Sequence, residues 1–139
     1  MGNHRKVVAH VPLRFRDIDA MGHVNNAVFF TLFEEGRKAF LEQVFHIVNP
    51  ADYPFILARL SCDYLKPVKP GDSVAVHVWI GEVGKKSFIF KYHIVDSQDG
   101  ESIYAAGEST MVLFDYKENK TVPISPEILG KLAEYRERP

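Results

Sequence analysis

One polar stretch near the amino terminus joins the first predicted strand to the first predicted helix: Phe15-Arg16-Asp17-Ile18-Asp19-Ala20-Met21-Gly22-His23-Val24-Asn25-Asn26. It brings two carboxylates, a histidine and two asparagines to this junction. The first N–H groups of a helix have no partner within the helix, and the helix dipole favours negative charge beside them. A carboxylate held there can attack an electrophile or activate water while the amides stabilise an oxyanion. Alternatively, these residues only form a turn and a helix cap, because Asp, Asn and Gly are common in both.

The composition is that of one globular domain covering residues 1–139, with 46% hydrophobic and 25% charged residues. The formal net charge is −1, which gives no electrostatic footprint for nucleic acid or an acidic membrane. Cys62 is the single cysteine, so no intramolecular disulfide can form. We find neither a signal-like apolar block nor an apolar run long enough for a bilayer, and the expected location is the cytoplasm.

Alternating apolar residues predict five strands, over residues 7–15, 55–65, 74–80, 88–94 and 103–114. In the first strand, Phe15 is expected on the same face as Val7. In the second, Ile56 and Tyr64 are expected on one face and Arg59 on the other. Gly107, in the fifth strand, is interpreted as a bulge or a point of close packing.

Apolar residues spaced three and four apart predict a long helix over Asn26–Phe45 and a second one over residues 127–137. Ser125 is the expected cap of the second helix. Gly36, inside the long helix, is interpreted as a point where helix and sheet approach closely. This order of elements predicts an α+β fold, an antiparallel sheet with one packed helix.

The pattern Asp-x-Asp-x-x-Gly-His-Val-Asn-Asn resembles the 4-hydroxybenzoyl-CoA thioesterase-like family of hotdog-fold proteins. The closest variant is the GHVNN branch, which long-chain acyl-CoA and plant acyl-ACP thioesterases share. The resemblance extends through Phe29, Glu34, Glu35 and Arg37 and includes a second motif, Lys85-Lys86-Ser87-Phe88. It implies a hotdog fold, in which a curved antiparallel sheet of about five strands wraps around one long central helix.

The resemblance also assigns roles to the catalytic candidates. Asp19 matches the family's carboxylate and would act either as nucleophile on the thioester carbonyl or as general base for water. His23 would orient Asp19 or bind the thioester oxygen, or else only bond to the turn backbone. The backbone N–H of Asn26 matches the oxyanion donor, and Glu34 would face the pocket or else lie on a solvated helix face. Asp17 is expected to be structural.

The predicted coenzyme A contacts come from a different part of the chain. The resemblance places Lys85, Lys86 and Ser87 against the phosphates or pantetheine of coenzyme A, with a solvated hairpin turn as the alternative. Arg59, on the polar face of the second strand, is a weaker candidate. No serine-hydrolase elbow, zinc motif or phosphate loop occurs in the sequence, and neither a metal nor a cofactor is expected.

The predicted function is hydrolysis of aliphatic or aromatic acyl-CoA thioesters to the free acid and coenzyme A. Two alternatives remain open at this point: an acyl-ACP thioesterase and a non-catalytic acyl-CoA-binding protein. The resemblance further implies a homodimer or homotetramer with sites at the subunit interface. The charge balance and the lack of a long apolar run predict no nucleic-acid or membrane partner.

Overall fold

The computed structural model describes residues 4–138, which form one long helix against an antiparallel sheet. The long helix is α1 (Asn26–Phe45), and a short helix, α2 (Pro126–Ala133), follows the sheet. The strands are β1 (Val7–Val11), β2 (Phe55–Tyr64), β3 (Val74–Val83), β4 (Ser87–Asp96), β5 (Ile103–Asp115) and the two-residue β6 (Lys120–Thr121). Five strands and the long helix match the predicted set; β6 was not predicted.

The sheet has the order β1-β3-β4-β5-β2, with β6 paired to β5, and all its neighbouring strands are antiparallel. It curls around α1, whose buried aromatic side chains pack on the middle strands. The Phe33 ring stacks on Tyr92 with centroids 4.6 Å apart, and Phe40 meets Phe90 edge-on at 5.0 Å. The predicted α+β hotdog fold is confirmed.

The ends of α1 are set by local chemistry. Asn25 caps the start, its side-chain oxygen accepting a hydrogen bond from the Ala27 N–H at 2.8 Å. His46 ends the helix in the left-handed conformation, with φ of 58°. Gly36 faces the sheet so closely that a Cβ there would lie 2.7 Å from Val78 Cγ2, which confirms the interpreted close approach.

The first strand is shorter than predicted. It ends at Val11, and a 3₁₀ helix occupies Phe15–Asp17. Pro12 has no N–H to continue the ladder, which agrees with the strand stopping there. The placement of Phe15 on the buried face is therefore wrong: its side chain is 96% exposed.

A β-bulge changes the face assignment in β2. Leu57 pairs with Met111 and Arg59 with Thr110, so Ala58 is an extra residue in the ladder. Before the bulge, Ile56 lies on the face away from α1, which we call the outer face. After the bulge, Leu60 and Tyr64 lie on the α1 side, so the prediction that Ile56 shares their face is wrong.

The carboxyl-terminal segment also departs from the prediction. Ser125 caps α2 as expected, but α2 ends at Ala133 rather than continuing to residue 137. The chain then runs beside β3, where Ile80 N–H donates to the Tyr135 carbonyl at 2.9 Å. The Glu137 carboxylate accepts hydrogen bonds from Trp79 Nε1 and Lys91 Nζ. These bonds hold the segment against the outer face of the sheet.

Two histidines on the outer face, His77 and His93, form a cross-strand pair that should make stability depend on pH. Burial lowers the pKa of both side chains, and the nearby Lys6 ammonium lowers both further. As pH falls below about 6.5, the unfolded chain takes up protons before the folded chain does. The free energy of unfolding should therefore fall as pH drops from about 7 to about 5.5.

The measurement is thermal unfolding across this pH range for the wild type and for His77→Gln/His93→Gln. The double variant should show a flatter dependence on pH. His46→Asn is the matched control, because His46 is exposed and Asn also accepts the left-handed conformation. An unchanged slope in the double variant would contradict the expected result.

Candidate active site

Asp19, the first of the predicted catalytic residues in the chain, lies in a tight turn. The Asp19 N–H donates to the His23 carbonyl at 2.8 Å, and Gly22 supplies a positive φ of 79°. One carboxylate oxygen of Asp19, Oδ1, accepts from the N–H groups of Met21 at 2.9 Å and His23 at 3.3 Å. The other oxygen has no protein hydrogen-bond donor within residues 4–138. The carboxylate thus shapes its own turn through one oxygen, and the other oxygen is left without a protein donor in this range.

Asp17 is occupied by local structure. Its buried carboxylate accepts from the backbone N–H of Arg14 at 2.8 Å and pairs with the Arg14 guanidinium at 3.0 Å. Burial raises the pKa of Asp17, but the hydrogen bonds from Arg14 outweigh burial and hold the pKa below its ordinary value. The Asp17 carbonyl also accepts from the Asn25 N–H at 2.8 Å, which ties the turn to the start of α1. These contacts support the expected structural role.

The first turn of α1 leaves one backbone donor free. The N–H groups of Asn25, Ala27 and Val28 are all bonded, to the Asp17 carbonyl, Asn25 Oδ1 and the Asn25 carbonyl respectively. Asn26 N–H has no acceptor in the described part of the chain. Since Asn26 is the first residue of α1, this amide is one of the helix donors that a ligand can satisfy.

Asp19, His23 and Asn26 meet in one open cleft of about 470 Å³. The cleft is lined on the other side by residues from the end of β2 and the loop after it: Tyr64, Leu65, Lys66 and Pro67. Apolar side chains dominate the remaining wall, where Phe29 packs edge-on against Tyr64 with centroids 5.0 Å apart. Asp19 and the first residue of α1 thus lie beside an apolar wall.

Glu34 does not reach this cleft in the same chain. It lies two turns further along α1, beside a second cavity of about 310 Å³. Arg37, Leu41, Phe55 and Met111 are among the other residues that line this cavity, which lies at the end of the sheet where β2 begins.

The predicted coenzyme A contacts are also remote from Asp19 within one chain. Lys85 and Lys86 are exposed in the β3–β4 hairpin and Ser87 begins β4, at the same end of the sheet as the second cavity. Arg59 lies on the outer face, in the middle of β2. A ten-residue strand spans about 30 Å, which is the scale of the separation between the two ends of the sheet.

Sequence reasoning missed the wall formed by Tyr64, Leu65 and Lys66. These residues lie 45 to 47 positions beyond Asp19, and only the packing of β2 beside α1 brings them to the cleft. One feature of the sequence indicated this wall, the expected placement of Tyr64 on the apolar face of the second strand.

The family comparison decides the class of protein. The model of the thioesterase-like superfamily matches residues 13–132, most of the chain. The chain belongs to this superfamily. The long-chain acyl-CoA thioesterase FadM of Escherichia coli is 25% identical over 88% of this chain and 93% of its own. The comparison confirms the predicted family and the predicted class of enzyme, a thioesterase.

Solved structures of this family agree with the fold. A predicted thioesterase from Bacillus stearothermophilus superposes with a TM-score of 0.87 at 24% identity, over 97% of this chain and 99% of that one. A thioesterase from Thermus thermophilus complexed with coenzyme A and zinc gives 0.78 at 29% identity, over 91% and 96%.

Two further observations concern metals and membranes. Within residues 4–138, no group of three or more His, Cys, Asp or Glu side chains is arranged to hold a metal ion. None of the helices in this described range combines the length and the apolar character that crossing a membrane requires.

Proposed function

We propose that the protein hydrolyses acyl-CoA thioesters in the cleft that contains Asp19. The observation that carries this proposal is that Asp19 and Asn26, whose N–H has no acceptor within residues 4–138, line the same cleft beside an apolar wall. In hydrolysis, the carbonyl oxygen of the thioester becomes negatively charged while an oxygen attacks the carbon. The Asn26 amide supplies a donor for the first atom, and Asp19 supplies or activates the second.

Two routes balance the reaction. In the first, an Asp19 oxygen attacks the carbonyl carbon and the C–S bond breaks to release the thiolate of coenzyme A. Water then cleaves the resulting anhydride, which gives the free acid, the Asp19 carboxylate and a proton for the thiolate. In the second, Asp19 takes a proton from water as the water attacks, and the proton passes to the departing thiolate. Multiple turnovers in ¹⁸O-labelled water separate the routes, because only the first incorporates label into Asp19, when water attacks the Asp19 carbon of the anhydride.

We propose that the complete site forms between two copies of the chain. β2 is an edge strand of ten residues, whereas β1, at the other edge, has five and is followed by Pro12. A long unpaired edge is a template for another strand. Antiparallel pairing of β2 with β2 of a second copy, centred on the middle of the strand, would put Tyr64 of one chain beside Phe55 of the other. The Asp19 cleft would then adjoin the second cavity, with Glu34, and the Lys85–Lys86 hairpin of the other copy.

The function is tested with a panel of aliphatic and aromatic acyl-CoA thioesters, following release of the free thiol. We expect turnover of either the aliphatic or the aromatic thioesters. For the same acyl group, the coenzyme A thioester should be hydrolysed faster than the thioester of acyl carrier protein. The reverse preference would support the acyl-ACP alternative. Tight binding without turnover across the panel would overturn the proposal in favour of an acyl-CoA-binding protein.

The two-chain site is tested by mixing variants. Asp19→Asn and Glu34→Gln are each expected to be impaired alone, because each variant lacks one residue at both sites of a dimer. Co-refolding them should restore about a quarter of wild-type turnover, because half of the dimers carry one intact site. Mixing Asp19→Asn with Asp19→Asn/Glu34→Gln is the control and should restore nothing. A fully active Glu34→Gln protein, or no restoration in the first mixture, would contradict the two-chain site.

A further inference from the structure

Tyr64 makes a tertiary contact to the start of α1 that the mechanism above does not use. Its hydroxyl donates to the backbone carbonyl of Asn26 at 3.0 Å, across 38 positions of sequence. Its ring rests edge-on against Phe29, one turn further along the same helix. The last residue of β2 therefore holds the first turn of α1 at both a polar and an apolar point.

This contact acts on the residue that carries the free amide. On one side of Asn26, the Asn25 carbonyl accepts from the Val28 N–H at 2.9 Å. On the other side, the peptide group between Asn26 and Ala27 is held by Asn25 Oδ1 at its N–H and by Tyr64 at its carbonyl. Of these bonds, only the one from Tyr64 comes from outside the helix and its cap. This bond therefore fixes the position of Asn26, and with it the direction of its N–H, relative to the opposite wall of the cleft.

The phenol is suited to this task at neutral pH. Burial raises the pKa of Tyr64, and Cys62 beside it raises the pKa further, so the hydroxyl keeps its proton. The side chain is 42% exposed and lines the cleft, so the contact is made at the edge of the site rather than within the core.

We propose that Tyr64 is a positioning residue for thioester hydrolysis, which holds the Asn26 N–H in the direction needed to receive the developing oxyanion. The inference rests on the proposed function. It adds that the oxyanion donor is oriented from the sheet rather than by the helix alone. Tyr64 is the last residue of β2, the edge strand expected to pair with a second copy. The same strand would therefore both form the dimer and orient the Asn26 N–H.

The test compares Tyr64→Phe with the wild type. The variant keeps the ring against Phe29 and removes only the hydroxyl, so it should remain folded. We expect kcat to fall about tenfold with KM changed less than about twofold. Affinity for a trifluoromethyl ketone analogue of the substrate, whose tetrahedral adduct carries an oxyanion-like oxygen, should fall by about the same factor as kcat. Affinity for a thioether analogue without a carbonyl oxygen should not change.

Tyr135→Phe is the matched control, since the Tyr135 hydroxyl has no hydrogen-bond partner within residues 4–138 while its ring packs at 5.1 Å from Phe40. It should leave all four measurements unchanged. Equal kcat in Tyr64→Phe and in an active wild type would overturn this inference alone, and so would equal weakening of both analogues. A wild type that hydrolyses no thioester would overturn the proposed function and this inference together.

Discussion

Asp19→Asn is expected to lower turnover about 10³-fold while leaving binding of a thioether substrate analogue within about threefold. Asparagine keeps an Oδ1 that can accept from the Met21 and His23 N–H groups, so the turn should persist. It lacks the negative oxygen needed to attack the carbonyl or to take a proton from water. Steady-state kinetics and analogue binding measure the two effects separately.

Two carboxamide variants serve as controls for Asp19→Asn. Asp52→Asn changes an exposed carboxylate at the end of the 3₁₀ helix Pro50–Asp52 and should leave kinetics and stability unaltered. Asp17→Asn should lower the unfolding temperature, because it removes the negative partner of Arg14 from a buried position. Retention of more than about a tenth of turnover by Asp19→Asn would rule out both proposed routes.

Gly107→Ala is expected to reduce the free energy of unfolding by about 2–3 kcal/mol. A Cβ at Gly107 would lie 2.5 Å from Phe33 Cζ and 2.8 Å from the backbone oxygen of Ser61. Neither neighbour can withdraw easily, because Phe33 is fully buried and stacked on Tyr92, and the Ser61 oxygen belongs to a paired strand. Chemical denaturation of the two proteins measures the difference.

Gly130→Ala is the matched control for this substitution. Gly130 lies within α2, and apart from its chain neighbours and the helix's own backbone nothing lies within 4 Å of the Cβ position. Alanine favours a helix over glycine by up to about 1 kcal/mol, so this variant should be neutral or slightly more stable. A cost below about 0.5 kcal/mol for Gly107→Ala would contradict the close packing of Phe33 against β5.

The helix and the turn before it were predictable because their determinants are local. Asn25 caps the helix that it precedes, and Gly22 takes the positive φ that the turn needs. Asp19 accepts bonds from N–H groups two and four residues ahead. Interactions of such short range leave their pattern in neighbouring residues, which is why the bounds Asn26–Phe45 match the prediction.

The errors in the strands have the opposite origin. Alternation predicts the face of a residue only while the ladder stays in register, and the extra residue Ala58 shifts that register in β2. Likewise, apolar spacing predicted that α2 continues to residue 137, but the segment after Ala133 instead pairs with Ile80 of β3. Each departure depends on a partner strand distant in sequence.

The sequence by itself determined the family, the class of enzyme and the turn that presents Asp19, since a contiguous motif with its own hydrogen bonds carries all three. Only the tertiary structure decided which residues share a cavity. The chain returns to α1 through β2, which brings the Tyr64 hydroxyl to the backbone carbonyl of Asn26 and leaves Glu34 and Lys85 toward the far end of the sheet. The distances between these residues depend on the direction and curvature of the strands, and the spacing of residues along the sequence does not specify either.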